Sequence, residues 1–260
     1  MRPLHISIVV PGIPFTGNTL QEKSLGGSET AALCLARELA ALGHRVYLFN
    51  NCEAPGDYAG VQYLHLDDYN KFAPFTPHDV CIVQRTPEFF GSPNLAKMNI
   101  LWSHDLPLFR YYQTFRSALW NIDKVAVLSS FMAEQYKKTY DLTDDLLFQT
   151  RNGIDLELFT QGETPARDMK KLMYTARPER GLDTLLTKIF PALLEDDPEL
   201  TLYLAQYENP APQLADFYRR CQAAADELGD RVVNLGSLTK NALYVHMQQA
   251  AALLYPTPPP

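Results

Sequence analysis

The chain has 260 residues, more than one ordinary α/β domain and fewer than two full-sized ones. Hydrophobic residues make up 46% and charged residues 20%, which excludes a disordered, collagen-like or coiled-coil chain. Lys and Arg number 23 against 30 Asp and Glu, a formal net charge of -7, so no broad basic face for nucleic acid or anionic lipid is expected.

The first apolar run, His5–Val10, is too short for a signal-peptide core and is cut off by Pro11, Gly12 and Pro14; no later run reaches membrane-span length. It reads as a strand, and the unbroken Ile6, Ile8, Val9, Val10 suits one covered on both faces. A long loop, Pro11 to Gly27, leads into a helix in which Ala31, Leu35, Leu39 and Leu42 share one stripe. Ser28 is placed to cap this helix, Glu29 to favour its first turn and Gly43 to end it. Strands are predicted next at Arg45–Phe49, Asp79–Gln84, Met98–Trp102 and Lys124–Leu128, the alternation of βα units on a parallel sheet.

The pattern pauses near Asn152-Gly153, and Gln161 to Asp168 is polar, as a linker would be. It resumes with strands at Lys171–Thr175, Leu200–Ala205, Arg231–Leu235 and Ala252–Tyr255, and helices about Leu182–Glu195, Pro212–Leu228 and Asn241–Ala250. The expected fold is α/β, with two Rossmann-like doubly wound parallel sheets. Residues 1–160 form one domain and 161–260 a second, incomplete one, because Pro258-Pro259-Pro260 come after an apolar strand where a crossover helix is needed. Cys34, Cys52, Cys81 and Cys221 show no C-x-x-C spacing, so they are expected to be reduced, and a cytoplasmic protein is the default.

Ligands of open α/β sheets bind beyond the carboxyl ends of the strands, which directs attention to the residues just past each strand. Gly26-Gly27, before the first helix, let backbone approach an anion, and equally can serve only to shape a turn. They do not form the G-x-G-x-x-G fingerprint of a dinucleotide site. His104, after the strand Met98–Trp102, can position a hydroxyl; with Asp105 and Pro107 it also reads as a strand-end histidine beside a helix cap. Arg177 and Arg180, between a strand and a helix start, place positive charge where the helix dipole opposes it. They therefore suit a bound diphosphate, with Glu179 and Asp183 as the competing salt-bridge partners. Gly236 allows close approach of a flat ring.

In order along the chain, Ser24-Leu25-Gly26-Gly27-Ser28-Glu29, WSHD at 102–105, VAVLSSF at 125–131, RNGIDLELF at 151–159, TARPERGLD at 175–183 and LGSLTKNALY at 235–244 form a set. This set resembles the retaining, nucleotide-sugar-dependent glycosyltransferases of family 4, whose GT-B architecture has two facing Rossmann-like domains. The resemblance implies a nucleoside-diphosphate sugar as donor and an unidentified sugar, lipid or protein acceptor, with no cofactor and no metal. Gly26, Gly27 and Gly236 would line the donor site, His104 would contact the transferred sugar, and Arg177 with Arg180 would hold the departing diphosphate. Members more often carry Lys at the position of Arg180, a change that keeps the charge. They also continue into an E-x7-E segment that this chain lacks, so truncation is expected and transfer by this polypeptide stands open. A non-catalytic, sugar-nucleotide-binding fragment and a sugar-nucleotide epimerase of the same architecture are the alternatives.

Overall fold

The computed structural model describes residues 2–72, 75–76, 78–91, 96–156, 164–205 and 212–257. The expected domain boundary between 160 and 161, the first three residues of the expected linker and the final prolines lie outside them. By internal contacts the chain divides into two units, Met1–Thr19 with Leu25–Ile154, and Leu20–Ser24 with Asp155–Pro260.

The first unit is built on β1 (His5–Val9), β2 (Arg45–Asn50), β3 (Gly56–Tyr58), β4 (Val61–His65), β5 (Val80–Gln84), β6 (Met98–Trp102), β7 (Lys124–Val127) and β8 (Leu147–Gln149). They form one eight-stranded sheet in the order β3-β4-β2-β1-β5-β6-β7-β8, parallel except for the β3–β4 hairpin. The central strand β1 buries Ile6, Ser7, Ile8 and Val9, as its unbroken apolar run requires when helices cover both faces. The hairpin turns at Ala59 (φ 52°) and Gly60 (φ 78°), two successive left-handed residues that suit a two-residue turn.

Three helices matter for the site. α1 (Thr19–Glu22) is a single turn inside the long loop, and α2 (Gly27–Ala41) carries the buried Glu29, Ala32, Leu33 and Ala36. Gly26, not Ser28, stands at the N-cap of α2, and no side chain caps it; Ser28 already belongs to the first turn and gives its hydroxyl to the Glu29 carboxylate. The third, α3 (Ser130–Tyr140), is capped by Ser129, whose Oγ accepts from the Met132 N–H at 3.1 Å. Tyr136 and Tyr140 of α3 pack on Phe115, the Tyr140 ring stacked at 4.1 Å, within a core that includes Val9, Val83, Leu101 and Val125.

The second unit has β9 (Asp168–Tyr174), β10 (Thr201–Ala205), β11 (Val232–Gly236) and β12 (Ala250–Leu253) in the order β11-β10-β9-β12, all parallel. β9 starts three residues before the expected Lys171. The last strand also starts earlier than the expected Ala252, because the helix α4 (Lys240–Gln249) passes directly into it at Ala250 without a connecting turn. The expected helix about Leu182–Glu195 is α-helical at both ends and π-helical over Leu185–Ile189. Pro191 explains the change: it has no N–H to give to the carbonyl four residues back, and its ring crowds that position. Lys171 is buried, and its ammonium is satisfied by His246 Nδ1 at 3.0 Å, by Gln249 Oε1 at 2.8 Å and by the face of Tyr203.

In the first unit His78 is buried, its Nδ1 2.5 Å from Ser7 Oγ on β1. Burial, and then the neighbouring His5, hold its pKa below the ordinary 6.5. Below pH 6.5 the unfolded chain binds a proton that folded His78 resists, so stability falls as the pH drops toward the folded value. Urea unfolding between pH 7.5 and 5 should show that decline, to which His104 and His246, also lowered by burial, contribute. His78→Gln should lessen the slope; an equal slope in the variant would remove His78 as a cause.

Candidate functional site

Where strand order reverses in a parallel sheet, loops from two adjacent strand ends part to opposite faces and leave a crevice. In the first unit the reversal falls between β1 and β5. The loop after β1 brings Gly12, at φ 135°, and then Gly26 and Gly27; the chain after β5 brings Gln84 and Arg85. Arg85 is held in a left-handed conformation, φ 66°, a strain that a non-glycine residue adopts only when its surroundings impose it. Its Nε donates to Asp105 Oδ2 at 2.6 Å and its Nη1 to Ser28 Oγ at 3.3 Å, while Gln84 Nε2 donates to the Ser28 carbonyl at 2.8 Å. Asp105, expected as a helix cap, is instead the carboxylate partner of Arg85.

His104 lies just past β6 at the same edge. Its loop is pinned from behind by α3: Tyr136 Oη is hydrogen-bonded to Ser103 Oγ and donates to the Asp105 carbonyl, and Tyr140 Oη donates to the Leu108 carbonyl at 3.1 Å. The imidazole packs on the Trp102 ring, 4.6 Å between centroids, and neither of its buried nitrogens makes a hydrogen bond of good geometry, the Asn152 side chain approaching it only loosely. Burial and, after it, the Arg85 charge hold its pKa below 6.5, against the opposing pull of the Asn152 side chain, Asp105 and Glu29. At neutral pH the ring is therefore uncharged, with one donor and one acceptor to offer.

The two expected glycines have different reasons to be glycine. A Cβ on Gly26 would overlap the Glu29 carboxylate, so Gly26 makes room for a side chain of the protein itself; a Cβ on Gly27 would meet nothing within 4 Å. Gln84, Arg85 and Glu29 were not expected at the site. Arg85 was accessible to the strand-end rule, since it directly succeeds a predicted strand; the inward turn of Glu29 depends on the backbone of Gly12 and Gly26 and had no such signal.

In the second unit the order reverses between β9 and β12. Arg177 and Arg180 lie just beyond β9, flanking the 3₁₀ turn Pro178–Arg180. Tyr174 Oη donates to the Arg177 carbonyl at 2.6 Å and fixes the start of the turn. Arg177 Nη1 stands 3.7 Å from Glu179 Oε1, an ion pair beyond hydrogen-bond distance, while Tyr218 Oη donates to Glu179 Oε2 at 2.9 Å. Arg180 Nη1 donates to Tyr255 Oη, beyond β12, at 3.3 Å. Asp183, the other expected competitor, makes no ion pair among the described residues. Gly181 is left-handed, φ 97°, and a Cβ there would overlap the Pro256 carbonyl oxygen. Gly236 ends β11 at φ 63°, its N–H bonded to Asn234 Oδ1 at 2.9 Å, with open space where a Cβ would stand. The structure thus gathers Gly26, Gly27 and His104 at one edge of the first unit and Arg177 with Arg180 at one edge of the second; β10 separates Gly236 from the arginine-bearing strand.

Among the described residues no group of three or more His, Cys, Asp or Glu could hold a metal ion, and no helix is long and apolar enough to cross a membrane. Substituting the two contrasting glycines separates their roles. Gly181→Ala should lose at least ~1–2 kcal/mol from the left-handed backbone alone, whereas Gly27→Ala in open space should be neutral or stabilising by up to ~1 kcal/mol. Thermal melting of both variants checks this; equal effects would refute the assignment.

No protein-family model matches the chain, and no curated protein matches it in sequence. Solved structures do match. Sucrose-phosphate synthase from Thermosynechococcus elongatus superposes with a TM-score of 0.71 at 18% identity, over 98% of this chain and 75% of that one. A glycosyltransferase from Rickettsia africae gives 0.68 at 14%, over 99% and 74%. Anabaena HepE, solved in complex with UDP and glucose, gives 0.69 at 13%, over 99% and 75%. The chain spans about three quarters of the length of these structures. The fold is therefore GT-B-like, two Rossmann-like parallel sheets in succession, of the kind found in glycosyltransferase structures.

Proposed function

We propose that this chain is a retaining glycosyltransferase that moves a sugar from a nucleoside-diphosphate sugar to a sugar, lipid or protein acceptor. The observation that carries the reading is Arg177. Its guanidinium is half-buried at the strand-order reversal of the second unit, and the carboxylate it faces, at 3.7 Å, is too far to take its hydrogen bonds and is already bonded to Tyr218. Positive charge so placed, with Arg180 three residues on, suits a diphosphate, which two guanidiniums can bind through charge-assisted forks. The solved complex of HepE with UDP and glucose supports the same substrate class.

In this reading Arg177 and Arg180 take the diphosphate, Gly27 and Gly236 leave room for donor backbone contacts, and His104 meets the transferred sugar. As the bond from the anomeric carbon to the diphosphate oxygen breaks, its electron pair stays on the leaving phosphate. Two fixed cations stabilise that developing charge, an effect of several kcal/mol for preorganised donors, and no protein-bound metal is needed for it. The acceptor hydroxyl oxygen bonds to the anomeric carbon from the same face, and its proton passes to a phosphate oxygen. The uncharged His104 can hold a sugar hydroxyl without repelling the oxocarbenium-like ring.

Calorimetric titration with UDP, ADP and GDP tests this. At least one should bind, and Arg177→Ala and Arg180→Ala should each weaken it by roughly 1.5–3 kcal/mol, the worth of a charged hydrogen bond. Binding that ignores both substitutions, or no binding of any of the three, would overturn the reading.

A further inference from the structure

Glu29 is 5% exposed, on the first turn of α2, at the edge that also holds His104. Such a carboxylate is ordinarily paired with a cation. Here the adjacent arginine, Arg85, is committed to Asp105, and Glu29 makes no ion pair among the described residues. Ser28 Oγ gives it one hydrogen bond, at 2.9 Å, and is itself oriented by Arg85 Nη1. A carboxylate accepts about four, so most of its capacity is unspent. The backbone is shaped round it: Oε1 lies 3.7 Å from where a Cβ of Gly12 would be, and Oε2 occupies the place of a Cβ on Gly26.

The second observation is His104, whose two buried ring nitrogens make no hydrogen bond of good geometry, although the Asn152 side chain approaches as a hydrogen-bonding group, and which feels the charge of Glu29. A carboxylate with spare acceptor sites and a neutral imidazole with a spare donor and acceptor match one chemistry, a pair of hydroxyl groups. A hydroxyl can give its hydrogen to Glu29, and its neighbour can exchange a hydrogen bond with either nitrogen of His104. A phosphate or carboxylate in that place would meet Glu29 with like charge, while Arg85 is already neutralised.

We propose that Glu29 touches the ligand, and that with His104 it reads two hydroxyls of a neutral sugar while rejecting an anionic group there. The assignment of that sugar to a nucleotide donor rests on the function proposed above; the reading of hydroxyls does not. Nitrogen-15 spectra of the histidine side chains track it directly, with glucose, galactose, mannose and fructose as free probes, glucose 6-phosphate as the anionic counterpart, and UDP and UDP-glucose alongside. At least one free sugar or UDP-glucose should move the His104 ring resonances, and glucose 6-phosphate should not. Glu29→Gln keeps size and burial, and should weaken the sugar response at least tenfold without a comparable loss for UDP. Ser28→Ala, which frees the carboxylate without removing it, should give a smaller loss and serves if the glutamine variant fails to fold. Silence of His104 toward every sugar, an equal response in Glu29→Gln, or equal binding of glucose 6-phosphate would each overturn the proposal. Failure of UDP to bind, with the free sugars still reading Glu29, would overturn the donor assignment alone.

Discussion

Parallel strands force every connection back across a face of the sheet, and where the direction of winding changes, two neighbouring strand ends are left with loops that diverge. Each unit of this chain has one such place, β1 beside β5 and β9 beside β12. The residues with chemistry to offer sit there because the crevice exposes backbone and side chains that anywhere else on the edge a crossing loop would cover. The non-standard backbones nearest these places, Gly12, Arg85 and Gly181, mark how tightly the diverging chains are constrained.

The two edges are electrostatically unlike. In the first unit one arginine is shared between Asp105 and Ser28, leaving Glu29 without a cation and an uncharged imidazole beside it. In the second unit tyrosine hydroxyls do much of the positioning: Tyr174 holds the Arg177 carbonyl, Tyr218 holds the carboxylate facing Arg177, and Tyr255 receives Arg180. The Tyr255 hydroxyl gives Arg180 an acceptor that carries no charge of its own. One edge holds a carboxylate without a cation beside an uncharged imidazole, and the other holds two guanidiniums.

Rigidity behind each edge comes from ordinary packing. The loop of His104 is tied to α3 through Tyr136 and Tyr140, whose rings belong to the aromatic core with Phe115, and burial pushes the Tyr136 hydroxyl pKa up to about 12, so it remains a protonated donor. Preorganisation of this sort lets a polar group wait in place without rearrangement when a ligand arrives.

Much of this was legible along the chain. Met98–Trp102 coincides with β6, and β1, β2, β5, β7, β10 and β11 differ by a residue at one end or both, because β-branched apolar runs between turn residues announce buried parallel strands without needing their neighbours. The placement of His104, Arg177 and Arg180 beyond strand ends came from the same reading. What escaped it depended on partners distant in sequence. The β3–β4 hairpin turns on Ala59-Gly60, a pair without the usual turn signal; Ser28 and Asp105 look like caps until Arg85, separated from them by 57 and 20 residues, claims both; and Glu29 looks like a first-turn acid until Gly12 and Gly26 are seen folded round it. By itself the sequence determined most of the parallel strands and the two windings, since these arise from local periodicity and chain connectivity. Only the tertiary structure decided which charges are neutralised and which stay available, because pairing is settled by distances between segments that the order of residues does not contain.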